Sequence, residues 1–207
     1  YQRSNQFLPN PIVGSCHDVL FVVSAYHQGV FQKSGSAPAY FVQGGYPNDD
    51  VCDPIRARSA QVRHQLQTAG VQYILCLFDE NWSDSRYAST TRRDHMQFFE
   101  FFLNWLVEDP TLGVVIKTQF SRNTPYHFPE LQSVAQAAQQ TGRLYIYGEG
   151  HYSIRNRAVE AALTADLVVN HIYGATAALE GALAGIRSIL LDLHNYGFSP
   201  ITEWGGP

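Results

Sequence analysis

The stretch that decides the fold is residues 165–192, ADLVVNHIYGATAALEGALAGIRSILLD. A short apolar run, Leu167–Asn170, leads into a loop of small and polar residues, then a helix, then a second apolar run, Ser188–Asp192. Thr176 stands where the helix begins, and its hydroxyl reads as an N-cap for the free amides of the first turn. The same helix end carries a partial positive charge, which suits a phosphate or another anion. Glu180 follows one turn later among small residues (Ala177, Ala178, Gly181, Ala182, Ala184) that let a helix lie close against a sheet or a ligand. Gly185 closes the helix, as a residue able to take φ > 0 does.

Working outward, the same strand–helix alternation fills the preceding hundred residues. Tyr73–Phe78 (YILCLF), Gly113–Lys117 (GVVIK) and Leu144–Tyr147 (LYIY) read as buried strands. Helices are expected at Ile55–Ala69 (after Pro54), at the aromatic Asp94–Glu108, at Pro129–Gln140 with Gly142 past its end, and at Asn156–Thr164. Strands separated by helices of about a dozen residues predict an α/β fold, a Rossmann-like parallel sheet with helices on both faces. Aromatic density in the Asp94–Glu108 helix points to a packed core face.

The first fifty residues are different. Residues 1–17 form an irregular lead-in with two prolines. Asp18–Ala25 (DVLFVVSA) is a continuous apolar run, expected to be a strand buried on both faces. HQGVFQKSGS suits a short helix, Ala39–Gln43 a second strand, and GGYPNDD a turn. The domain reading is therefore 1–53 as a lead-in, or the end of another domain, plus a linker, and 54–207 as the sheet domain.

Composition narrows the function classes. The chain has 207 residues, 14 Lys+Arg against 18 Asp+Glu, and a net charge of −4. Its lysines are Lys33 and Lys117, and no basic cluster argues for nucleic acid as a partner. One helix end with one or two cations would still hold a small anion. Cys16, Cys52 and Cys76 show no CxxC pair and no metal-ligand spacing, which suits a reducing, cytoplasmic setting, with Cys76 as core. No apolar run approaches the roughly 18 residues of a spanning helix, and no signal peptide is evident. The chain opens at Tyr1 and closes on GGP, and it reads as a piece of something longer.

Ligands of such a sheet bind beyond the carboxyl ends of its strands. The loops there are Asp79–Ser83, Thr118–Arg122, Gly148–Ser153, Asn170–Thr176 and Leu193–Gly197. They carry Asp79, Glu80, Gln119, Glu149, His151, His171, Tyr173, His194 and Asn195, with Lys117 and Arg122 as cations. The loops at the opposite edge (EDPTLG, QTGR, LAGIR) are plain turns. GxGxxG after the first strand, GxxxxGK[ST] and GxSxG are all missing, which disfavours an NAD site, a P-loop and an α/β-hydrolase. His151, His171 and His194 come from three different strand ends without HxH or HxxxH spacing, so they are read as separate polar residues and no metal is expected. Asp79, Glu80 and His151 are the candidate catalytic groups. A carboxylate at a strand end can serve as general base, or Asp79 or Ser83 can simply cap the turn in DENWSDS.

The ADLVVN…YGATAALEGALAGIRSILLD pattern resembles the donor-binding half of GT-B glycosyltransferases, where a Ser/Thr–x–x–x–Glu–x–x–x–x–Gly helix follows the fourth strand. DVLFVVSAYHQGVFQKSGSAPAYFVQGGYPNDD is similar to the end of a GT-B acceptor domain, with a "GYP-x-D" junction. The resemblance implies that Gly174, Ala175 and Thr176 meet the donor phosphate, with Tyr173 in the same loop. It places Glu180 on the ribose hydroxyls, Lys117 beside the phosphate, and Gly148, Glu149 and Gly150 near the base. The substrate would be a nucleotide-sugar donor, with no cofactor, and the acceptor a glycan or lipid-linked glycan. Ile186–Arg187 stands where the family has G-x-P, and only Lys117 is placed for a diphosphate, which leaves room for a CMP-linked as well as a UDP-linked donor. FDEN…IK and the last helix come nearest to bacterial surface-polysaccharide enzymes, the Kdo transferases and glycerophosphotransferases among them. Such an enzyme would be cytoplasmic, with peripheral association at the inner membrane face open to it. A sugar-nucleotide 2-epimerase and a non-catalytic nucleotide- or sugar-binding module are the alternatives.

Overall fold

A computed structural model describes residues 18–33, 35, 37–45, 52–79, 82–84, 90–119, 123–148, 157–172 and 175–194. The chain divides into two compact units, Tyr1–Asp50 with His194–Pro207, and Val51–Leu193.

In the first unit, β1 (Val19–Val22) and β2 (Tyr40–Gln43) pair in parallel around α1 (Ala25–Lys33). Leu20, Val22 and Phe31 form its small core. The expectation of a strand buried on both faces does not hold, because β1 alternates between exposed and buried residues, with Val19 and Phe21 outward. Successive side chains of a strand point to opposite faces, and α1 supplies a core to one face only.

The second unit opens with α2 (Cys52–Thr68), followed by β3 (Tyr73–Phe78), α3 (Arg92–Glu108) and β4 (Leu112–Lys117). Two 3-10 turns then precede α4 (Gln132–Gln140), and β5 (Leu144–Tyr147), α5 (Ala158–Thr164), β6 (Leu167–His171), α6 (Thr176–Leu183) and β7 (Arg187–Leu191) complete it. Its five strands are all parallel, in the order β5-β4-β3-β6-β7. The chain winds outward from β3 to one edge, returns, and winds from β6 to the other. That reversal between β3 and β6 is the topological switch point where doubly wound folds bind their ligands. The expected α/β architecture is thus the one observed.

Each face of the sheet has its own helices. On the first face, Phe98, Phe99, Phe102, Leu103 and Leu106 of α3 pack with Ala135 and Ala138 of α4 over Leu75, Leu77, Val114, Ile116 and Val169. On the second, Val62 and Leu66 of α2, Ala161 and Ala162 of α5 and Ala178 of α6 cover Ile74, Cys76, Phe78, Val115 and Val168. The aromatic helix does form a core face, although Phe101 and Trp105 lie outside it, exposed. The α2–α5 pair is further tied by Arg58, whose guanidinium donates to both Glu160 oxygens at 3.1 Å, and by Ser59 Oγ donating to the Glu160 carbonyl at 2.8 Å.

Two helices are capped differently from expectation. α3 begins at Arg92, two residues before the expected Asp94, because Thr91 and Asp94 form a reciprocal capping box that satisfies two end amides. α6 is capped by Ala175 with no side-chain bond, so Thr176 is its first helical residue rather than its N-cap. Gly185 follows α6 at φ +86°, as its role at the helix end requires.

The small residues of α6 have a measurable use. A Cβ built on Gly181 would lie 3.1 Å from Ala162 Cβ and 3.1 Å from Val168 Cγ2, so α6 is seated between α5 and β6 at backbone range. Gly181→Val is therefore expected to destabilise the second unit by about 1–3 kcal/mol, the usual cost of overpacking. Urea unfolding measures this, and an unchanged midpoint would mean that α6 is not held at this distance.

Candidate functional site

Because β3 and β4 are covered on both faces, their polar groups appear at the carboxyl ends, and the alternation of side chains sorts them onto two faces. Asp79 extends the register of Leu75 and Leu77, and His171 that of Leu167 and Val169, so both belong to the α3 face. Lys117 follows Val115, and Asn170 follows Val168, so both belong to the α6 face.

On the α3 face, Asp79 reaches across to the segment after β4. Its Oδ1 accepts from the Gln119 amide at 2.7 Å, and its Oδ2 accepts from Asn123 Nδ2 at 2.7 Å. Asn123 is itself buried, and its carbonyl accepts from His95 Nε2 at 3.1 Å. That bond fixes the His95 tautomer with the proton on Nε2, since a carbonyl can only accept. His95 is fully buried against Phe99 and Phe128, with ring centroids 4.9 and 5.2 Å away. His171 is buried against Phe98 at 4.7 Å. Burial pushes the Asp79 carboxyl up to about 6, against the opposing pull of its bonds to Asn123 and Gln119 and of the Lys117 charge. Burial, with His171 nearby, takes the His95 imidazole down to about 4, so it is neutral at neutral pH.

On the α6 face, the groups are donors. Asn170 is fully buried and its Oδ1 accepts from the His171 amide at 2.8 Å. Asn170 Nδ2 has no hydrogen-bond partner among the described residues. A buried unmet donor is costly and calls for an explanation. Gly181 of α6 lies against Val168. From Val168 to Asn170 the strand climbs about 6.6 Å, and from Gly181 back to Thr176 the helix climbs about 7.5 Å, so Asn170 is level with the first turn of α6. Lys117 stands two strands away, half-buried, its Nζ donating to the Thr118 carbonyl at 2.7 Å. Burial lowers its pKa, with the Asp79 charge opposing.

The candidate residues read from the sequence thus fall into two groups. Asp79, Lys117, Gly148, Ala175 and Thr176 are at the carboxyl edge, and Glu180 is half-buried one turn into α6. Glu80, Glu149, Gly150, His151, Tyr173 and Gly174 lie outside the described residues. Beside the turn-cap alternative for Asp79 stand its bonds to Gln119 and Asn123, on the segment after β4. Asn123 and His95 escaped the sequence reading. His95 carried a signal, because it falls on the apolar stripe of α3, one turn before Phe98 and Phe99. Asn123 carried none, because its role depends on a contact 44 positions away. Among the described residues no three His, Cys, Asp or Glu side chains gather as a metal site would need, and no helix is long and apolar enough to cross a membrane.

No family model and no curated protein matches the chain. Among solved structures it is similar to a variant of the wall teichoic acid polymerase TagF, at 14% identity and a TM-score of 0.48, covering 86% of this chain and 41% of that one. It is also similar to the Anabaena protein HepE in complex with UDP and glucose, at 13% identity and a TM-score of 0.41, covering 84% and 44%. The chain thus spans less than half the length of either.

The His95 environment sets a pH test. An imidazole with its pKa depressed in the folded state contributes stability above its unfolded value of 6.5, and that contribution is lost as pH falls toward about 4. Asp79, raised to about 6, runs the other way and gains as pH falls. Comparing wild type with His95→Gln cancels the Asp79 contribution. The Tm of His95→Gln relative to wild type is expected to rise between pH 7 and pH 4.5, read by circular dichroism. A constant difference would mean that His95 is not held neutral.

Proposed function

We propose that the chain contains the nucleotide-sugar-binding portion of a GT-B-type glycosyltransferase, with the donor's phosphate at the amino end of α6. The observation that carries this reading is the level placement of Asn170 and the first turn of α6, beside the switch point between β3 and β6. First-turn amides without intrahelical partners, the positive end of the helix dipole, and a buried amide donor unmet among the described residues together ask for a negatively charged oxygen. Lys117 on the same face adds a cation at the next strand but one. Glu180, one turn along α6, takes the ribose hydroxyls. In transfer, an acceptor hydroxyl attacks the anomeric carbon and the nucleotide leaves. The α6 amides and Lys117 would then stabilise the charge that develops on the leaving phosphate. Glu80 and His151 are the candidates to receive the acceptor's proton. The acceptor would be a bacterial surface glycan or its lipid-linked precursor, and the enzyme would work in the cytoplasm, at the membrane's inner face when the acceptor is lipid-linked. The donor is a CMP- or UDP-linked sugar and no cofactor is needed.

A thermal-shift screen against CMP, CDP, UDP and GDP tests the reading, because a ligand bound only by the folded state raises Tm by mass action. One base is expected to stand out. Glu180→Gln is expected to weaken that nucleotide by about 1–3 kcal/mol, the range for a hydrogen bond to a charged group, without lowering the Tm of the free protein. No shift with any of the four would overturn the proposal.

A further inference from the structure

Asp79 follows β3 at the carboxyl edge of the sheet, where a carboxylate could act on a substrate directly. Its geometry assigns it other work. Both oxygens face the segment that leaves β4, one bonded to the Gln119 amide and one to the Asn123 side chain, each at 2.7 Å. Asn123 is a junction, because its carbonyl is held by His95 of α3 while its amide holds Asp79. Beyond it, Thr124 Oγ1 and His127 Nδ1 share a hydrogen bond at 2.8 Å, closing the start of the next turn. Gln119 and Asn123 are therefore both anchored to the residue that follows β3, and Asn123 to α3 as well. A free loop loses about 1–2 kcal/mol per residue of backbone entropy when a ligand orders it. A loop fixed beforehand escapes most of that cost.

We propose that Asp79 is a positioning residue, which holds Gln119 and Asn123, on the segment after β4, in place at the carboxyl edge of the sheet before a ligand arrives. The consequence for ligand affinity rests on the nucleotide-sugar reading above, and the clasp itself does not. The substitution Asp79→Asn can keep the clasp. The amide carbonyl it introduces would accept from the Gln119 amide, and the NH2 beside it would donate to the Asn123 side chain once that side chain rotates to present its oxygen. Alanine keeps neither bond. A group acting as general base behaves in the opposite way, since an amide cannot take up a proton at neutral pH.

The experiment uses the full 207-residue chain as wild type, Asp79→Asn, Asp79→Ala, Asn123→Ala and the double alanine variant. Hydrogen exchange is followed at Gln119 and at 123–127, and calorimetric titration uses UDP and CMP. Asp79→Asn is expected to keep wild-type protection at Gln119 and a Kd within about twofold, a change well under 1 kcal/mol. Asp79→Ala is expected to lose about tenfold in protection at Gln119 and about tenfold in affinity, as for a lost charged hydrogen bond. The two alanine changes should be non-additive, because they remove the same bond. Global stability is checked by protection in β3 and β4, which should not change. Equal protection at Gln119 in wild type and Asp79→Ala would overturn the clasp, as would Asp79→Asn behaving like Asp79→Ala. If wild type binds neither nucleotide while the exchange pattern is as expected, the clasp stands and the nucleotide-sugar reading fails.

Discussion

A parallel strand covered by helices on both faces has no room for polar side chains except at its ends, and this constraint governs the second unit. β3 is buried at five of its six residues and β4 likewise, so their side chains are apolar until the carboxyl terminus. Asp79 follows Phe78, Lys117 ends β4, and Asn170 and His171 end β6. The polar side chains of β3, β4 and β6 therefore gather at their carboxyl ends, because desolvation penalises them along the covered length of each strand. The strand order then decides where along that edge it matters most, between β3 and β6, where the winding reverses.

Within that edge the pleat divides the labour. Residues of odd number at the ends of β3 and β6, Asp79 and His171, turn toward α3 and join His95 and Asn123 in a buried polar layer under aromatic rings. Asn170 and Lys117 turn toward α6 and leave donors on that side. One face ties Gln119 and Asn123 to Asp79, and the other leaves a buried amide donor unmet among the described residues. The division follows from nothing more than the two-residue repeat of a strand.

The close seat of α6 links the packing to the chemistry. With Gly181 at contact distance from Ala162 and Val168, the helix start is fixed relative to β6, and Asn170 comes level with its first turn. A bulkier residue would lift the helix and move its amides away from the buried donor. Smallness here serves both the core and the candidate site, and the segment that looked most informative in the sequence owes that to one backbone approach.

The sequence by itself determined the parallel α/β sheet, its helices on both faces and the edge that carries the polar residues, because two-sided burial writes continuous apolar runs that end in polar loops. It also marked Lys117, Asp79 and the α6 turn as candidates, since strand ends are readable from those runs. It misread Thr176 as the cap of α6, because whether a hydroxyl bonds to its own helix depends on where the preceding loop delivers the chain. It misread β1 as buried on both faces, since an apolar run says what could be covered and not what comes to cover it. Only the tertiary structure decided that Asp79 bonds to Asn123, that His95 joins them from inside a helix, and that Asn170 keeps a donor unmet among the described residues. Those facts rest on contacts between residues tens of positions apart, and such contacts leave no local pattern in a chain.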